Sequence, residues 1–391
     1  MKYIDEIKLT GKRVLIRLDL NVPLDKLGTI TDDTRIIAAK PTIEYALDEG
    51  AKIIIISHLG RPKGKRVEEL SLAPVAKRLS RILKRSVSFI GDCLGSEVEE
   101  AIAKMEKGDI ILLENLRFYP EETKNDDDFA RKLASFADVY VDDAFGNAHR
   151  SHASNIAITK FAPTSVAGFL IKKELTYFQQ ALENPKRPFV AIIGGSKVSG
   201  KLEALLNLLS KVDKILVGGA MAFTFLKARG YFVGASLVED ALLEKAQEVM
   251  TMAKERGVKF YLPIDVVIAQ SADAKADTAV VPTQEMRAGW AGYDIGPATV
   301  LLYEEALNNA GTIVWNGPLG VFEAEPFSYG TMEIAHCVAS STAISIVGGG
   351  DTDVAIHKAG ESENISFIST GGGASLELLA GKTLPAIVAL G

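Results

Sequence analysis

Cysteine is almost missing from this chain: two residues, Cys93 and Cys337, among 391. They stand far apart with no partner at metal-ligand spacing, which excludes a disulfide framework and the cysteine-rich zinc motifs. Reduced core thiols in a cytoplasmic protein are expected. Long apolar runs are missing as well. Every run is strand-sized, well short of the roughly 20 residues of a membrane span. The stretch MKYIDEIKLTGKRV carries charge from Lys2 onward and has no apolar centre, so no signal peptide is expected. Nor is there an excess of positive charge: 44 Lys and Arg against 50 Asp and Glu leave a net charge of −6. That balance argues against nucleic acid or a membrane surface as partner, and any anion site must be local. No repeat with a period of roughly 20–50 residues is present. Also absent are H-E-x-x-H and any arrangement suggesting a Ser-His-Asp or Cys-His centre.

What is present is the composition of a soluble globular protein, 47% apolar and 24% charged. The length suits two domains of about 200 residues each or slightly less. Apolar runs alternate with amphipathic helical patterns throughout, the α/β signature of a parallel sheet. In the first half the runs are Val14–Leu18, Ile53–Ile56, Ile110–Leu113 and Val139–Val141. Helical patterns at Ile36–Glu49, Leu72–Leu83, Val98–Met105 and Phe129–Phe136 separate them. Lys172–Leu182 reads as a helix closed by Asn184-Pro185, and with Pro188 it is the expected domain connector. The second half repeats the logic with Phe189–Ile193, Ile215–Val217, Val266–Ala269, Ile313–Trp315, Ile344–Val347 and Ile365–Ile368.

The most informative stretch is PFVAIIGGSKVSGK, Pro188 to Lys201. Its spacing predicts a strand, a glycine turn at Gly194-Gly195 and a helix from Val198, an arrangement that presents N–H groups to a phosphate. If the first turn begins at Lys197, Lys197 and Lys201 share a helical face. Gly195, Gly200 and Lys201 fit G-x-x-x-x-G-K, but Leu202 occupies the Ser/Thr position that binds Mg²⁺ in a Walker loop, so that reading is disfavoured. Gly381-Lys382-Thr383 has the right ending without the first glycine, and no G-x-G-x-x-G occurs.

Ligands of open α/β sheets bind beyond the carboxyl ends of the strands, so the loops there carry the function. In the first half these hold Asp19-Leu20-Asn21, SHLGR (Ser57–Arg61), ENLR (Glu114–Arg117) and DDAFGNAHR (Asp142–Arg150). Arg61, Arg117 and Arg150, with Arg35 after TDDT, suit bidentate capture of phosphate or carboxylate. One such arginine alone is more often a surface ion pair; three at equivalent strand ends favour a basic anion pocket. His58, His149 and His152 stand among them, but for the histidines a structural role is the stronger reading, and His336 and His357 lie on helical patterns as ordinary face residues. In the second half the loops are glycine-rich: GGSK, GGAMA (Gly218–Ala222), WNGPLG (Trp315–Gly320), GGGDT (Gly348–Thr352) and TGGGAS (Thr370–Ser375). Two of these open helical patterns, which suits a polyphosphate. Asp351 is the acid best placed for a phosphate-bound Mg²⁺, and it fits a helix N-cap without metal equally well. A basic pocket in one half and a nucleotide-phosphate pocket in the other suggest phosphoryl transfer between a small anion and a nucleotide.

The ordered set RLDLNVP, TDDTRI, SHLGRP, LLENLRF, DDAFGNAHRSHAS, GGSKVSGK, WNGPLGVFE, GGGDT and STGGGASLELLAGK resembles the phosphoglycerate kinase family from the first strand to the C-terminus. The resemblance implies two Rossmann-like α/β domains, each a mainly parallel sheet flanked by helices, joined by a helix and hinge. The first, residues 1–171, would bind 3-phosphoglycerate; 172–187 would connect; 188–373 would bind nucleotide. The segment from about 374 to 391 would pack back on the first domain. The implied reaction is reversible transfer between 1,3-bisphosphoglycerate and ADP, giving 3-phosphoglycerate and ATP with Mg²⁺, by a cytoplasmic monomer with neither nucleic-acid nor membrane partner.

By resemblance, Asp19, Leu20, Asn21, Arg35, His58, Leu59, Gly60, Arg61, Arg117 and Arg150 match the acid-binding positions. Lys201, Gly218, Gly219, Gly292, Asn316, Pro318, Glu323, Gly349, Gly350, Asp351 and Thr352 match the nucleotide positions, with Asp351 for the metal. Arg35, Lys197, Lys201, Gly371 and Gly372 match groups around the transferred phosphoryl, beside Gly373. Leu20 replaces the usual aromatic and Asn147 a common Thr; Gly200 and Asp353 also depart from the pattern. Another ATP-dependent kinase of a small acid and a non-catalytic nucleotide-binding protein remain open readings. Because the two pockets fall in different halves, transfer is expected to need closure with both substrates, hinged near Lys172–Pro188 and Thr370–Gly373.

Overall fold

Runs of Ile, Val and Leu between amphipathic helices become parallel strands because both faces of such a run must be covered. The computed structural model describes every residue from Met1 to Gly391. These divide into two compact units, Met1–Leu175 with Thr383–Gly391, and Thr176–Lys382.

In the first unit six strands, β1 (Arg13–Leu18), β2 (Lys52–Ile56), β3 (Ser88–Ile90), β4 (Ile110–Leu113), β5 (Val139–Asp143) and β6 (Ser165–Ala167), form one sheet. Its order is β3-β4-β2-β1-β5-β6, with every pairing parallel. Ile53 to Ile56 are fully buried, and each such side chain contributes about 1.5–3 kcal/mol of burial. Helices Thr34–Asp48, Ala73–Leu83, Ser96–Ala103 and Asp127–Ala134 supply the connections. From β1 the chain runs to β2 on one side and later returns to β5 on the other. The loops after β1 and β5 therefore diverge, opening a crevice at the point where strand order reverses.

The second unit repeats this plan with β7 (Phe189–Ile193), β8 (Lys214–Val217), β9 (Lys259–Tyr261), β13 (Thr312–Asn316), β14 (Ile344–Gly348) and β15 (Phe367–Ser369). The order is β15-β14-β13-β7-β8-β9, again parallel, and the switch point falls between β7 and β13. Three more strands, β10 (Asp265–Ala269), β11 (Ala279–Pro282) and β12 (Ala291–Ile295), make a separate antiparallel sheet in the order β11-β10-β12.

Three expectations need correction. Val266–Ala269 is a strand, but of the antiparallel sheet; its β-branched run cannot reveal which partner it takes. The helix expected from Val198 begins at Leu202, with Lys201 at the cap position. Ser199 is tied by its N–H to Glu239 Oε2 at 3.0 Å and by its hydroxyl to Oε1 at 2.5 Å, which holds the preceding turn out of the helix. Lys197 and Lys201 therefore share no helical face. Finally, the returning C-terminal segment begins at Thr383 rather than about 374. Gly373–Leu379 is a helix of the second unit, where Asn207 Nδ2 donates to Leu379 O at 2.7 Å.

Candidate active site

The crevice of the first unit is built from backbone ends that fasten one another. Ser57 Oγ donates to Leu18 O at 2.7 Å and accepts from Leu20 N at 2.9 Å, locking the loop after β1 to the loop after β2. Asn21 Oδ1 accepts from Gly60 N at 2.8 Å. Asn115, after β4, donates from Nδ2 to Leu59 O at 2.7 Å and to Leu70 O at 2.9 Å. These bonds place Asp19, Asn21, Gly60 and Arg117 around one opening. Leu20 and Leu59 contribute backbone only, since their side chains belong to the core. The Leu20 departure is therefore a matter of packing.

Arg35 pairs through Nη1 with Asp19 Oδ2. Arg117 is 8% exposed and donates from Nη1 to Gly60 O at 2.9 Å. Its buried Nε has no partner. Burial, then the neighbouring Arg17 and Arg150 charges, lower the Arg117 pKa to about 10. A guanidinium under that stress gains most from an incoming anion. Arg61 is exposed and Arg150 half-exposed, and neither side chain is tied to a protein partner. His58 is buried, and burial followed by the Arg17 charge pulls its pKa far down, so the imidazole is neutral.

Sequence reasoning missed the layer beneath. Arg17, fully buried at the end of β1, donates from Nε to Ser154 Oγ at 2.9 Å and approaches His58 Nδ1 through Nη2 at 3.1 Å. A charged residue inside the apolar run VLIRL was the available signal. Glu122 is buried with it, accepting from Ser154 Oγ at 2.7 Å. His152 is neutral too, its pKa pulled down to about 3 by burial and then by Arg117. Of the remaining histidines, His336 pairs with Glu361 at the surface.

In the second unit the loops after β7, β8 and β13 are fastened by their backbones. Gly194 N donates to Asn316 O at 3.0 Å, Gly195 N to Pro318 O at 2.8 Å and Gly219 N to Leu319 O at 2.9 Å. Beside this seam lies a pocket of about 470 Å³. Gly219, Gly292, Pro318, Glu323 and Asp351 line it among the sequence-derived positions. Leu237, Ala291, Tyr293 and Val321 line it as well and went unrecognised, the middle two because β12 carries glycine and aspartate and gives no strand signal. Gly292 is required there: a Cβ would run into the Phe223 ring.

Lys201 lies behind the seam. Its Nζ donates to Asn316 O at 2.8 Å and also to Asn316 Oδ1. Burial lowers its pKa to about 8, against a smaller upward pull from Asp351. Thr352 is buried, accepting from Gly317 N at 2.7 Å and donating to Gly348 O at 3.2 Å, so its hydroxyl holds the loop. Gly218 sits behind the pocket, bonded to Ile193 O at 3.0 Å. Gly349 is the cap residue of helix Gly350–Lys358, and Asp351 lies exposed in the first turn rather than at the cap. Gly372 precedes helix Gly373–Leu379, and Gly371 N donates to Ser369 Oγ at 3.1 Å. Lys197 is exposed, away from Lys201 in burial and in partners.

Each unit thus has a switch-point crevice, one bearing arginines and the other lined by glycines, Glu323 and Asp351 with Lys201 behind it. A family model for phosphoglycerate kinase matches residues 4–382. The chain belongs to the phosphoglycerate kinase family. Phosphoglycerate kinase from Geotalea uraniireducens is 58% identical over 391 residues, covering all of this chain and 98% of its own length. That of Aquifex aeolicus is 56% identical over 389 residues, with 100% and 98% covered. The solved phosphoglycerate kinase of Coxiella burnetii superposes with a TM-score of 0.89 at 45% identity, covering 99% of this chain and 98% of its own. That of Pyrococcus horikoshii gives 0.85 at 33% identity, with 100% and 98% covered. No helix is long and apolar enough to cross a membrane.

Proposed function

We propose that this phosphotransferase moves a phosphoryl group reversibly between the carboxyl group of 3-phosphoglycerate and ADP. The acid is held by Asp19, Asn21, Arg35, His58, Arg61, Arg117 and Arg150, the nucleotide by the pocket beside the Gly194–Pro318 seam. The observation that carries this reading is the pairing of chemistries: an arginine crevice in which the buried Arg117 Nε–H has no partner, and a glycine crevice backed by Lys201. An acceptor that is already a carboxylate needs no general base, so positioning and charge suffice. Residues 1–171 form the acid-binding domain in this reading, and 188–373 the nucleotide-binding domain. The protein works as a cytoplasmic monomer without nucleic-acid or membrane partners.

Mg²⁺ fits the donor set. Asp351 is one exposed carboxylate at the pocket, and no group of three His, Cys, Asp or Glu could cage a metal. One carboxylate suits a cation that arrives with nucleotide phosphates and completes its shell from them and water. When bound, Mg²⁺ offsets phosphate charge; Lys201, Arg35 and the Gly371–Gly372 turn that opens helix Gly373–Leu379 stabilise the rest, and Lys197 supplies an exposed ammonium. A coupled assay of ATP formed from 1,3-bisphosphoglycerate and ADP tests the activity, and no ATP above background refutes it.

Arg35→Lys and Arg61→Lys keep the charge and lose the planar fork. Each is expected to weaken 3-phosphoglycerate binding about tenfold, the worth of one charge-assisted bond. ADP affinity should stay as in the parent when both are titrated by calorimetry. Equal weakening of both ligands would remove these arginines from the acid site.

Because the pockets belong to different units, transfer at about 3–3.5 Å with water excluded requires the units to bring them together. A single ligand has little differential affinity for a closed form, whereas two ligands sharing one phosphoryl bridge it. The hinge lies in Lys172–Pro188 and Thr370–Gly373. Small-angle scattering should show the radius of gyration falling fully only with both substrates; full contraction with nucleotide alone contradicts the proposal.

A further inference from the structure

Beneath the acid crevice runs a file of buried polar groups with one direction of donation. Glu122, Ser154 and Arg17 are each fully buried, and His58 is 2% exposed. Glu122 Oε2 accepts from Ser154 N at 3.0 Å, and Oε1 accepts from Ser154 Oγ at 2.7 Å. Arg17 Nε lies 2.9 Å from the same Ser154 Oγ. A guanidinium carries donors only, so the hydroxyl must accept from Arg17, and its own proton must go to Glu122. The other side of Arg17 is equally constrained: Nη1 donates to Leu18 O, and Nη2 stands 3.1 Å from His58 Nδ1. Nη2 again has only protons to offer, so Nδ1 must be the acceptor. Asn147 Nδ2, a second donor, lies 3.2 Å from that same nitrogen.

Two donors on one nitrogen leave the imidazole a single arrangement. A proton on Nδ1 would face both of them, so the proton of the neutral ring is on Nε2. Nε2 has no protein partner, which leaves an N–H as the only polar contact His58 has to give. An N–H suits an oxygen anion; the opposite tautomer would turn a lone pair toward it.

We infer that Glu122, Ser154 and Asn147 are positioning residues for the acid substrate: acting through Arg17 and directly, they hold His58 as the Nε2–H tautomer, so that it donates to the substrate rather than accepts. Asn147 acts directly, its amide supplying a second N–H donor to His58 Nδ1 at 3.2 Å. Burial and the Arg17 charge depress the His58 pKa and keep the ring from taking a second proton, in agreement with the geometry. The Glu122 carboxylate also lies 3.7 Å from His152 Nδ1, so the anion that orders Ser154 faces a neutral imidazole as well. This inference rests on the proposed function for the identity of the substrate, but the tautomer itself does not depend on it.

The test is long-range ¹H–¹⁵N spectroscopy of the histidine rings in the full chain, with His58 assigned by its loss in His58→Gln. The parent protein should show Nδ1 as the unprotonated nitrogen and Nε2 as the protonated one, unchanged between pH 8 and pH 6. A protonated Nδ1, or an imidazolium at pH 7, overturns the inference outright. Ser154→Ala removes the acceptor of Arg17 Nε, and Asn147→Ala removes the second donor while keeping the backbone carbonyl that Asn155 Nδ2 uses at 3.0 Å. Each loosens one of the restraints on Nδ1 without removing all of them, so each should move the His58 nitrogen shifts part of the way toward those of a tautomer mixture and weaken 3-phosphoglycerate binding by up to about fivefold, the worth of one hydrogen bond. ADP affinity serves as the control for folding and should not move. Variants with parental ADP affinity and unchanged His58 nitrogens overturn the positioning role. Should Ser154→Ala fail to fold, Asn147→Ala and the parent spectrum decide. A parent with the expected tautomer and no affinity for 3-phosphoglycerate would instead count against the proposed function.

Discussion

Lys201→Ala is expected to lower turnover by roughly two to three decades, the usual loss when one preorganised donor is removed. The ammonium is not free to wander: Nζ is held by Asn316 O at 2.8 Å and by Asn316 Oδ1, behind the loops that leave β7 and β13. Holding it there keeps it charged against a burial cost that has already lowered its pKa to about 8. Phosphate oxygens gaining charge in transfer would relieve that cost most in the transition state, so the loss should fall on kcat rather than on binding. The pH profile follows with a definite sign. Lysine is cationic below its pKa, so kcat/KM for nucleotide should be level up to about pH 8 and fall above it. In the alanine variant that limb should disappear. The same shift makes the folded state release this proton before the unfolded chain does. Charged Lys201 therefore costs stability below about pH 8, a cost relieved as pH rises toward the unfolded value of 10.5. Steady-state kinetics across pH checks both claims. Unchanged kcat with a raised KM for ATP would show uniform binding and withdraw the catalytic role.

Legibility in the sequence followed how local each feature is. The central strands of both parallel sheets could be read, because a strand buried on both faces is a continuous apolar run. Strands β3, β6, β9 and β15 are three residues each, below any periodicity, and only the last overlaps an expected run, Ile365–Ile368. The antiparallel sheet was not foreseen, since β10 looks like a parallel strand and β12 reads AGYDI. At the acid site, residues that end a strand were legible from order alone: Asp19 after β1, His58 after β2, Arg117 after β4. What supports them was not. Arg17 meets a serine 137 residues away, and Ser154 in turn meets a glutamate 32 residues from itself. No local pattern encodes such pairings. The second site shows the same division. The glycine runs announced tight loops, whereas the reason for Gly194, contact with a loop more than a hundred residues on, is visible only in the fold.

That contact makes Gly194→Ala the second large effect. Gly194 and Gly195 donate to Asn316 O and Pro318 O, Gly219 donates to Leu319 O, and Met221 N donates to Gly195 O at 3.0 Å, so three loops close on one another through backbone alone. A Cβ on Gly194 would fall on the Pro318 carbonyl oxygen and within 2.6 Å of the Gly317 oxygen. Neither obstacle is a side chain that can swing away, so the loops after β7 and β13 must part. Overpacking against backbone costs about 3 kcal/mol at the upper end of such substitutions. For a unit of this size that lowers Tm by roughly 6–12 °C. Parting these loops also displaces Pro318 from the pocket wall and Asn316 from Lys201, so ADP affinity should fall at least tenfold by an affinity loss of about 1.4 kcal/mol or more. The acid site is built in the other unit, and 3-phosphoglycerate affinity should stay at the parent value. Gly200→Ala is the matched control. Nothing lies within 4 Å of the Cβ it would add, and Gly200 is absent from the glycines with positive φ. It should leave Tm unchanged or raise it by the effect of a stiffer unfolded chain, worth about 0.4–1 kcal/mol. Calorimetric melting and separate titrations with ADP and 3-phosphoglycerate distinguish the outcomes. A Gly194→Ala protein that melts and binds ADP as its parent does would show that the seam yields, and that these glycines are not what shapes the nucleotide pocket.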